Sequence, residues 1–166
     1  MADDAPKEAP KEAPQEDAQR FRVAIAWDGD GAGHGTARAE GGGRAEAVTI
    51  PIGASPELGG SGRGANPEEL LLAAIGTCFV GTWAIFLKKL AIGYAEPSLS
   101  VDGTLEKDPA GGFKMTGIAI TCAVPASLLA ASRPAIEKTL QLAEKYCIIS
   151  KVARGAMPLT VSIVEI

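Results

Sequence analysis

Three cysteines, Cys78, Cys122 and Cys147, are the side chains of this sequence best suited to chemistry. A thiolate is a nucleophile and a metal ligand, whereas a protonated, buried thiol is inert. An ordinary thiol, with a pKa of about 8.5, is mostly protonated at neutral pH, so a reactive cysteine needs help from its surroundings. Cys122 lies in a stretch where Ile118, Ile120, Cys122 and Val124 share one strand face, and there it reads as a small hydrophobe. Cys78 and Cys147 fall on the apolar faces of two predicted helices. Taken singly, each reads as core; if the helices pack together, the two sulfurs come within disulfide distance.

Other groups offer less. Glu68 sits at a helix start, where a carboxylate complements the dipole by about half a kcal/mol. Arg38, Arg44 and Arg63 lie in or beside glycine-rich stretches, with the lone His34 nearby. Cys78, Cys147 and His34 are too few and too scattered for a metal-finger spacing, so a metal site is the weaker reading. Neither glycine-rich loop has the spacing of a phosphate or dinucleotide fingerprint.

The elements that must position these groups follow from the patterning. "FRVAIAW" (Phe21–Trp27) alternates as a strand, "DGDGAGHG" reads as a turn, and "TARAEGGGRAEAVTI" reads as a hairpin whose second strand ends at Ala47–Ile50. "PIGASPELGGSGRG" reads as loop. A helix then opens with Asn66 as N-cap, Pro67 at the first position and Glu69 completing a capping box, and Lys88 and Lys89 mark its far end. Leu70 to Leu87 is eighteen residues without a charge, long enough for a membrane span. Gly76, Thr77, Thr82 and several alanines lower its hydrophobicity. The preferred expectation is therefore a helix buried on all sides, the spine of a core or a dimer. A hairpin over 98–106 and 113–124 follows. Next come a helix beginning near Ser132–Pro134, with Ile136, Leu140, Ala143 and Cys147 on one face, and a C-terminal strand in "PLTVSIVEI". The order predicts an α+β domain with antiparallel sheets around two helices, one of them a long buried central helix.

Composition narrows the function classes. The chain has 166 residues, 46% hydrophobic and 22% charged, enough for one domain with a sizeable core. Its net charge of −4 and pI of about 5.1, without a Lys/Arg cluster, argue against nucleic acid as the main partner. Residues 1–19, acidic with an imperfect Pro-Lys-Glu-Ala repeat and no apolar core for a secretory leader, are expected to be a disordered tail, leaving 20–166 as the domain. The expected location is cytoplasmic, with no membrane partner. In such a reducing compartment three cysteines do not make a disulfide framework.

The motif "ELGGSGRGANPEELLLAAIGTCF", followed about seventy residues later by "AEKYCIISKVARG", resembles the OsmC/Ohr family, named for osmotically inducible protein C and organic hydroperoxide resistance proteins. The first motif is long and specific. The second departs, since the family commonly has Cys-Pro-Val-Ser where this chain has Cys147-Ile148-Ile149-Ser150.

The resemblance implies an OsmC-like intertwined homodimer with the long helices at the interface. It also implies a thiol peroxidase of oxidative-stress defence, needing no cofactor or metal, that reduces organic hydroperoxides to alcohols. By motif, Cys78 attacks the peroxide, Cys147 resolves the sulfenic acid to an intramolecular disulfide, and Glu68 positions an arginine. The electrons would return from a dithiol, dihydrolipoamide-like or thioredoxin-like. A helix dipole fades within one turn and burial raises a thiol pKa, so a cation is expected beside Cys78. Arginine suits because it stays charged and bonds both sulfur and oxygen. One branch of the family takes it ten residues before the motif glutamate, which here is Leu58; the other takes it from between the first strands. That points to Arg38 or Arg44, with Arg63 a third candidate; Arg38 is favoured for its place on a strand flank. Glu68 and Cys78 are ten residues apart, about 15 Å along one helix, so Glu68 is expected to serve the partner subunit's cysteine.

A function of another class competes: a non-catalytic module on the same fold, holding an apolar ligand, with the cysteines only as core. The altered "CIIS" motif keeps it open. Exchange of Cys78 for serine separates the two.

Overall fold

The computed structural model of the chain describes residues 19–40 and 46–166. The expected tail, apart from Gln19, and Arg44 with its glycine-rich turn lie outside the described residues. The chain forms two compact units that divide after Gly64.

The N-terminal unit is an antiparallel meander of β1 (Arg22–Asp28), β2 (His34–Glu40) and β3 (Val48–Gly53). The β1–β2 turn is closed by Trp27 Nε1, which donates to Asp30 O at 2.8 Å, and by Asp30 Oδ1, which accepts from the Ala32 amide at 2.9 Å. Two boundaries differ from expectation. His34, read as part of the turn, opens β2 opposite Asp28 and Gly53. β3 runs through Pro51 to Gly53, because β3 is an edge strand and its missing N–H interrupts no second ladder. Register places Val23, Ile25 and Trp27 of β1 opposite Ala39, Ala37 and Gly35, which in turn face Val48, Ile50 and Ile52. One face of the sheet is therefore wholly apolar. A single 3-10 turn follows at Pro56–Leu58, and Gly64, at φ 78, packs so close to Pro51 that a Cβ would sit on its carbonyl.

The C-terminal unit holds α1 (Pro67–Lys89), β4 (Ser98–Lys107), β5 (Phe113–Val124), α2 (Ala126–Tyr146), α3 (Ile148–Arg154) and β6 (Leu159–Glu165). The capping box of α1 forms as the sequence predicts. Asn66 Oδ1 accepts from the Glu69 amide at 2.8 Å, and the Asn66 amide donates to Glu69 Oε2 at 3.0 Å. β4 and β5 pair antiparallel, whereas β5 and β6 pair parallel. The helical crossover through α2 and α3 carries the chain back to the end of the sheet at which β5 began, so that β6 runs beside it in the same direction, which a hairpin cannot do.

The core is one cluster. Ile118, Ile120, Cys122 and Val124 of β5 meet Ile75, Phe79, Trp83 and Leu87 of α1 and Leu129, Ile136, Leu140 and Ala143 of α2. Trp83 Nε1 donates to Thr139 Oγ1 at 2.9 Å, and Thr139 Oγ1 donates to Ile136 O at 2.6 Å, so the polar atoms in this core are satisfied.

Two helix expectations need correction. α1 is not buried on all sides within the chain: Ile75, Phe79, Trp83 and Leu87 face the core, while Leu71, Ala74, Thr77, Gly81 and Ile85 stay exposed. The second helix starts at Ala126, six residues before Ser132, and bends at Ser132, whose φ of −151° is not helical. Pro134 supplies the cause, since its ring and missing N–H break the ladder one turn back. The apolar stripe read from the sequence belongs to the segment after the bend.

Candidate active site

α1 presents Cys78 at its middle. Phe79 and Trp83 are pinned in the core, so the helix cannot rotate, and Cys78, half-buried, is held at the border of the core and the exposed face carrying Ala74, Gly81 and Ile85. Small residues at i−4 and i+3 leave its sulfur open to an incoming molecule. Thr82, one turn on, donates from Oγ1 to Cys78 O at 2.7 Å and also stands beside the thiol.

Cys147 arrives from the other side. It ends α2, its amide donating to Ala143 O at 2.8 Å, and with φ −63° and ψ 115° it leaves the helical region to become the N-cap of α3. Its sulfur performs the capping that an oxygen usually does: Sγ accepts from the Ser150 amide at 3.4 Å and from Ser150 Oγ at 3.0 Å. Both Cys147 and Ser150 are fully buried. Arg154, in the last turn of α3, donates to Glu144 of α2 and fixes the angle between the two short arms that meet at Cys147.

The two helices do pack on each other, and they bring Cys78 and Cys147 into hydrogen-bonding contact as free thiols. The contact is polarised. Burial raises the Cys78 thiol, but the Ile149 amide, the Cys147 side chain, the Ile148 amide and Thr82 oppose it and leave it below the ordinary cysteine value. Burial also raises the Cys147 thiol; Ser150 pulls it down, the neighbouring Cys78 pushes it up, and it ends above the ordinary value. Cys78 is therefore the more acidic thiol of the pair and Cys147 the less acidic one. Among the described residues of this unit, the groups that lower this thiol are peptide amides, Thr82 and the neighbouring S–H.

The departure from the family motif contributes here. Ile148 has an N–H, one of the groups that lower the Cys78 thiol, where proline would have none. The sequence marked the departure without its consequence and gave Ser150 no role, although it coincides with the serine of the family motif.

The remaining expected residues are placed as follows. Cys122, on the core face of β5, is pushed up to about 12 by burial alone, the packing role expected of it. Glu68, half-buried, stands in the first turn of α1. Arg38 lies in the middle of β2 of the N-terminal unit, between Ala24 and Thr49, with Nε 3.3 Å from Glu40 Oε1. Arg63 is exposed in the loop that packs its backbone on Gly53. His34 stands at the head of β2. A groove of about 550 Å³ runs between α1 and β4, lined by Leu72, Ala73, Gly76, Val80, Leu99 and Val101 among others; it is mostly apolar, and Cys78 lies outside its lining.

This geometry can be set beside known proteins. The OsmC-like protein family matches residues 60–162, which include α1, both helix-borne cysteines and most of the second sheet. The organic hydroperoxide resistance protein-like 1 of Staphylococcus saprophyticus is 31% identical over 122 residues, covering 72% of this chain and 84% of that protein. A counterpart in Staphylococcus epidermidis is 32% identical over 118 residues, covering 70% and 82%. Among solved structures, an organic hydroperoxide resistance protein OsmC from Legionella pneumophila superposes with a TM-score of 0.67 at 22% identity, over 88% of this chain and 98% of that one. An OsmC-like protein of unknown function from Vibrio cholerae gives 0.71 at 17% identity, over 89% and 100%. Long capped helix, α+β order and two facing cysteines all agree with the match, and the chain belongs to the OsmC-like family.

Proposed function

We propose that this chain is a thiol-dependent peroxidase that reduces organic hydroperoxides to alcohols. The observation that carries the reading is the polarised pair: Cys78 lowered and half-buried, Cys147 raised and fully buried against it. A core-only pair has no reason to be unequal in this sense. The similarity to hydroperoxide resistance protein-like relatives supports it.

The chemistry runs in three steps. The Cys78 thiolate attacks the terminal oxygen of ROOH; the S–O bond forms, the O–O bond breaks, and RO⁻ takes a proton to leave as ROH. Cys78 is now a sulfenic acid. The Cys147 sulfur displaces its hydroxyl, which departs with the Cys147 proton as water, and a disulfide closes. An external dithiol, of the dihydrolipoamide or thioredoxin kind, then reduces that disulfide by exchange. The apolar, small-residue face around Cys78 favours an alkyl-bearing hydroperoxide over hydrogen peroxide.

A homodimer completes this reading. The exposed face of α1 and the apolar face of the N-terminal sheet are both surfaces that a second copy would cover. Arg38 is the arginine assigned to the peroxide oxygens, and Glu68 its carboxylate partner, contributed to the other subunit's Cys78. The site is cytoplasmic in this reading, and no membrane, nucleic acid, metal or cofactor takes part.

The test is thiol titration and intact mass after one equivalent of cumene hydroperoxide, on the natural chain and on Cys147→Ser. Loss of two thiols in the first and an oxidised Cys78 in the second is expected. Survival of all three thiols would reduce the cysteines to packing and favour the apolar-ligand module.

A further inference from the structure

We infer that Ser150 is the positioning residue of the resolving step, holding Cys147 Sγ in line and stabilising the charge this sulfur bears once its proton leaves, ahead of its attack on the Cys78 sulfenic acid. The inference rests on the peroxidase reading above and goes beyond it, because it assigns a role to a residue outside the pair of cysteines that do the chemistry.

The geometry is specific. Ser150 is fully buried, its Oγ stands 3.0 Å from Cys147 Sγ, and its amide stands 3.4 Å from the same atom. Among the described residues Cys147 Sγ is the only hydrogen-bond partner of that hydroxyl. A neutral thiol is a weak acceptor, so against it a buried hydroxyl recovers little of its desolvation cost. Against a thiolate the same two contacts are charge-assisted and about twice as strong. The arrangement thus does little for the resting thiol and much for the charged one.

The charge reaches Cys147 at one moment of the cycle. At rest the neighbouring Cys78 pushes the Cys147 thiol up and so favours its protonated form. Oxidation of Cys78 to the sulfenic acid removes that influence. What then remains around Cys147 is burial on one side and the two Ser150 donors on the other. In the step itself the S–S bond forms, the Cys78 S–O bond breaks, and the hydroxyl leaves with the Cys147 proton as water. Cys147 also sits at the junction of α2 and α3, where its own backbone is extended. The two Ser150 contacts are therefore what orient its sulfur.

The experiment compares the natural chain with Ser150→Ala and Ser150→Thr. Each is reduced, given one equivalent of cumene hydroperoxide, and followed for loss of the first thiol and for the partition of Cys78 between disulfide and sulfinic acid. Ser150→Ala should lose its first thiol within about twofold of the natural rate while closing the disulfide about tenfold more slowly, the worth of one hydrogen bond to a charged sulfur, so that sulfinic acid accumulates. Ser150→Thr, which keeps the hydroxyl, should restore closure. An unchanged partition in Ser150→Ala overturns the inference, as does a first step slowed as much as the second. If Ser150→Ala does not fold, Ser150→Thr against the isosteric Ser150→Val isolates the hydroxyl at equal volume. A diamide arm separates this inference from the peroxidase reading. Diamide closes the same disulfide through a Cys78 adduct without any peroxide. If the natural chain ignores the hydroperoxide, the peroxidase reading falls; slower diamide closure in Ser150→Ala would still support the role of Ser150, and equal closure would end it.

Discussion

The two sheets of this chain are nearly matched in size and opposite in state. In the C-terminal sheet the inward face of β5 is sealed: Ile118, Ile120, Cys122 and Val124 keep no more than 3% of their surface. In the N-terminal sheet an equally apolar face leaves Val23, Ile25 and Trp27 at 57%, 61% and 44% exposure. Composition does not separate them, since both alternate β-branched and small residues. The difference is cover. β5 has α1 and α2 laid across it, whereas the N-terminal unit has no helix of its own beyond one 3-10 turn among its described residues. A self-sufficient core and a sheet without a helix of its own to cover it can thus share one chain, and the thiol pair belongs to the first.

The comparison can be broken most strongly by cavity. Ile120→Ala should cost about 2–5 kcal/mol, as buried aliphatic truncations do, read as a shift in urea midpoint. Ile25→Ala should cost under about 0.5 kcal/mol in dilute protein, and more as concentration rises if a second copy covers that face. Equal losses at the two sites, independent of concentration, would mean that the N-terminal sheet is as closed as the other.

A smaller effect tests the amides. Ile148→Pro removes one N–H while suiting the first position of α3, and the extended backbone of Cys147 tolerates a following proline. Alkylation of Cys78 at pH 7 should slow roughly tenfold, as expected for losing one hydrogen bond to a charged group, and its pH profile should move to higher pH. An unmoved profile would show that the amide does not reach the sulfur.

Cys122 gives a titration of the sealed core. Its folded-state pKa, about 12, lies well above that of an ordinary thiol. The stability this contributes is therefore complete below about pH 9 and is lost as pH rises through about 12. Cys122 should resist iodoacetamide in the native protein at pH 9, and the alkaline decline in stability should be shallower in Cys122→Ala. Rapid native labelling would contradict the burial. The smallest effect belongs to the surface: breaking the Arg133–Glu137 pair (3.7 Å) with Glu137→Gln should move stability by no more than about 0.5 kcal/mol.

Much of the architecture was legible in residue order. Asn66, Pro67 and Glu69 announced the start of α1, the alternation from Ile118 to Val124 announced β5, and both hold. The elements missed are those where tertiary context overrules local pattern. Pro51 looks like a loop residue until β3 proves to be an edge strand. Ala126–Ala131 gives no start signal because its N-cap, Pro125, makes no side-chain bond. The parallel pairing of β6 rests on where the crossover returns, which no local pattern encodes. The site divides in the same way. Helical spacing placed Cys78 and Cys147 on packing faces, yet their contact, the unequal thiols and Ser150 depend on how α2 breaks at Cys147.

By itself, then, the sequence determined what is local: caps, apolar faces, strand alternation, and a cysteine within one helix. These are set by backbone hydrogen-bonding needs and side-chain periodicity over a few residues. Only the tertiary structure decided which thiol is the more acidic. That choice depends on donors 69 to 71 positions away in the chain, the Cys147 side chain and the amides of Ile148 and Ile149. Their approach to Cys78 is fixed by the packing of α1 against α2 and α3 and by no property of the residues around it.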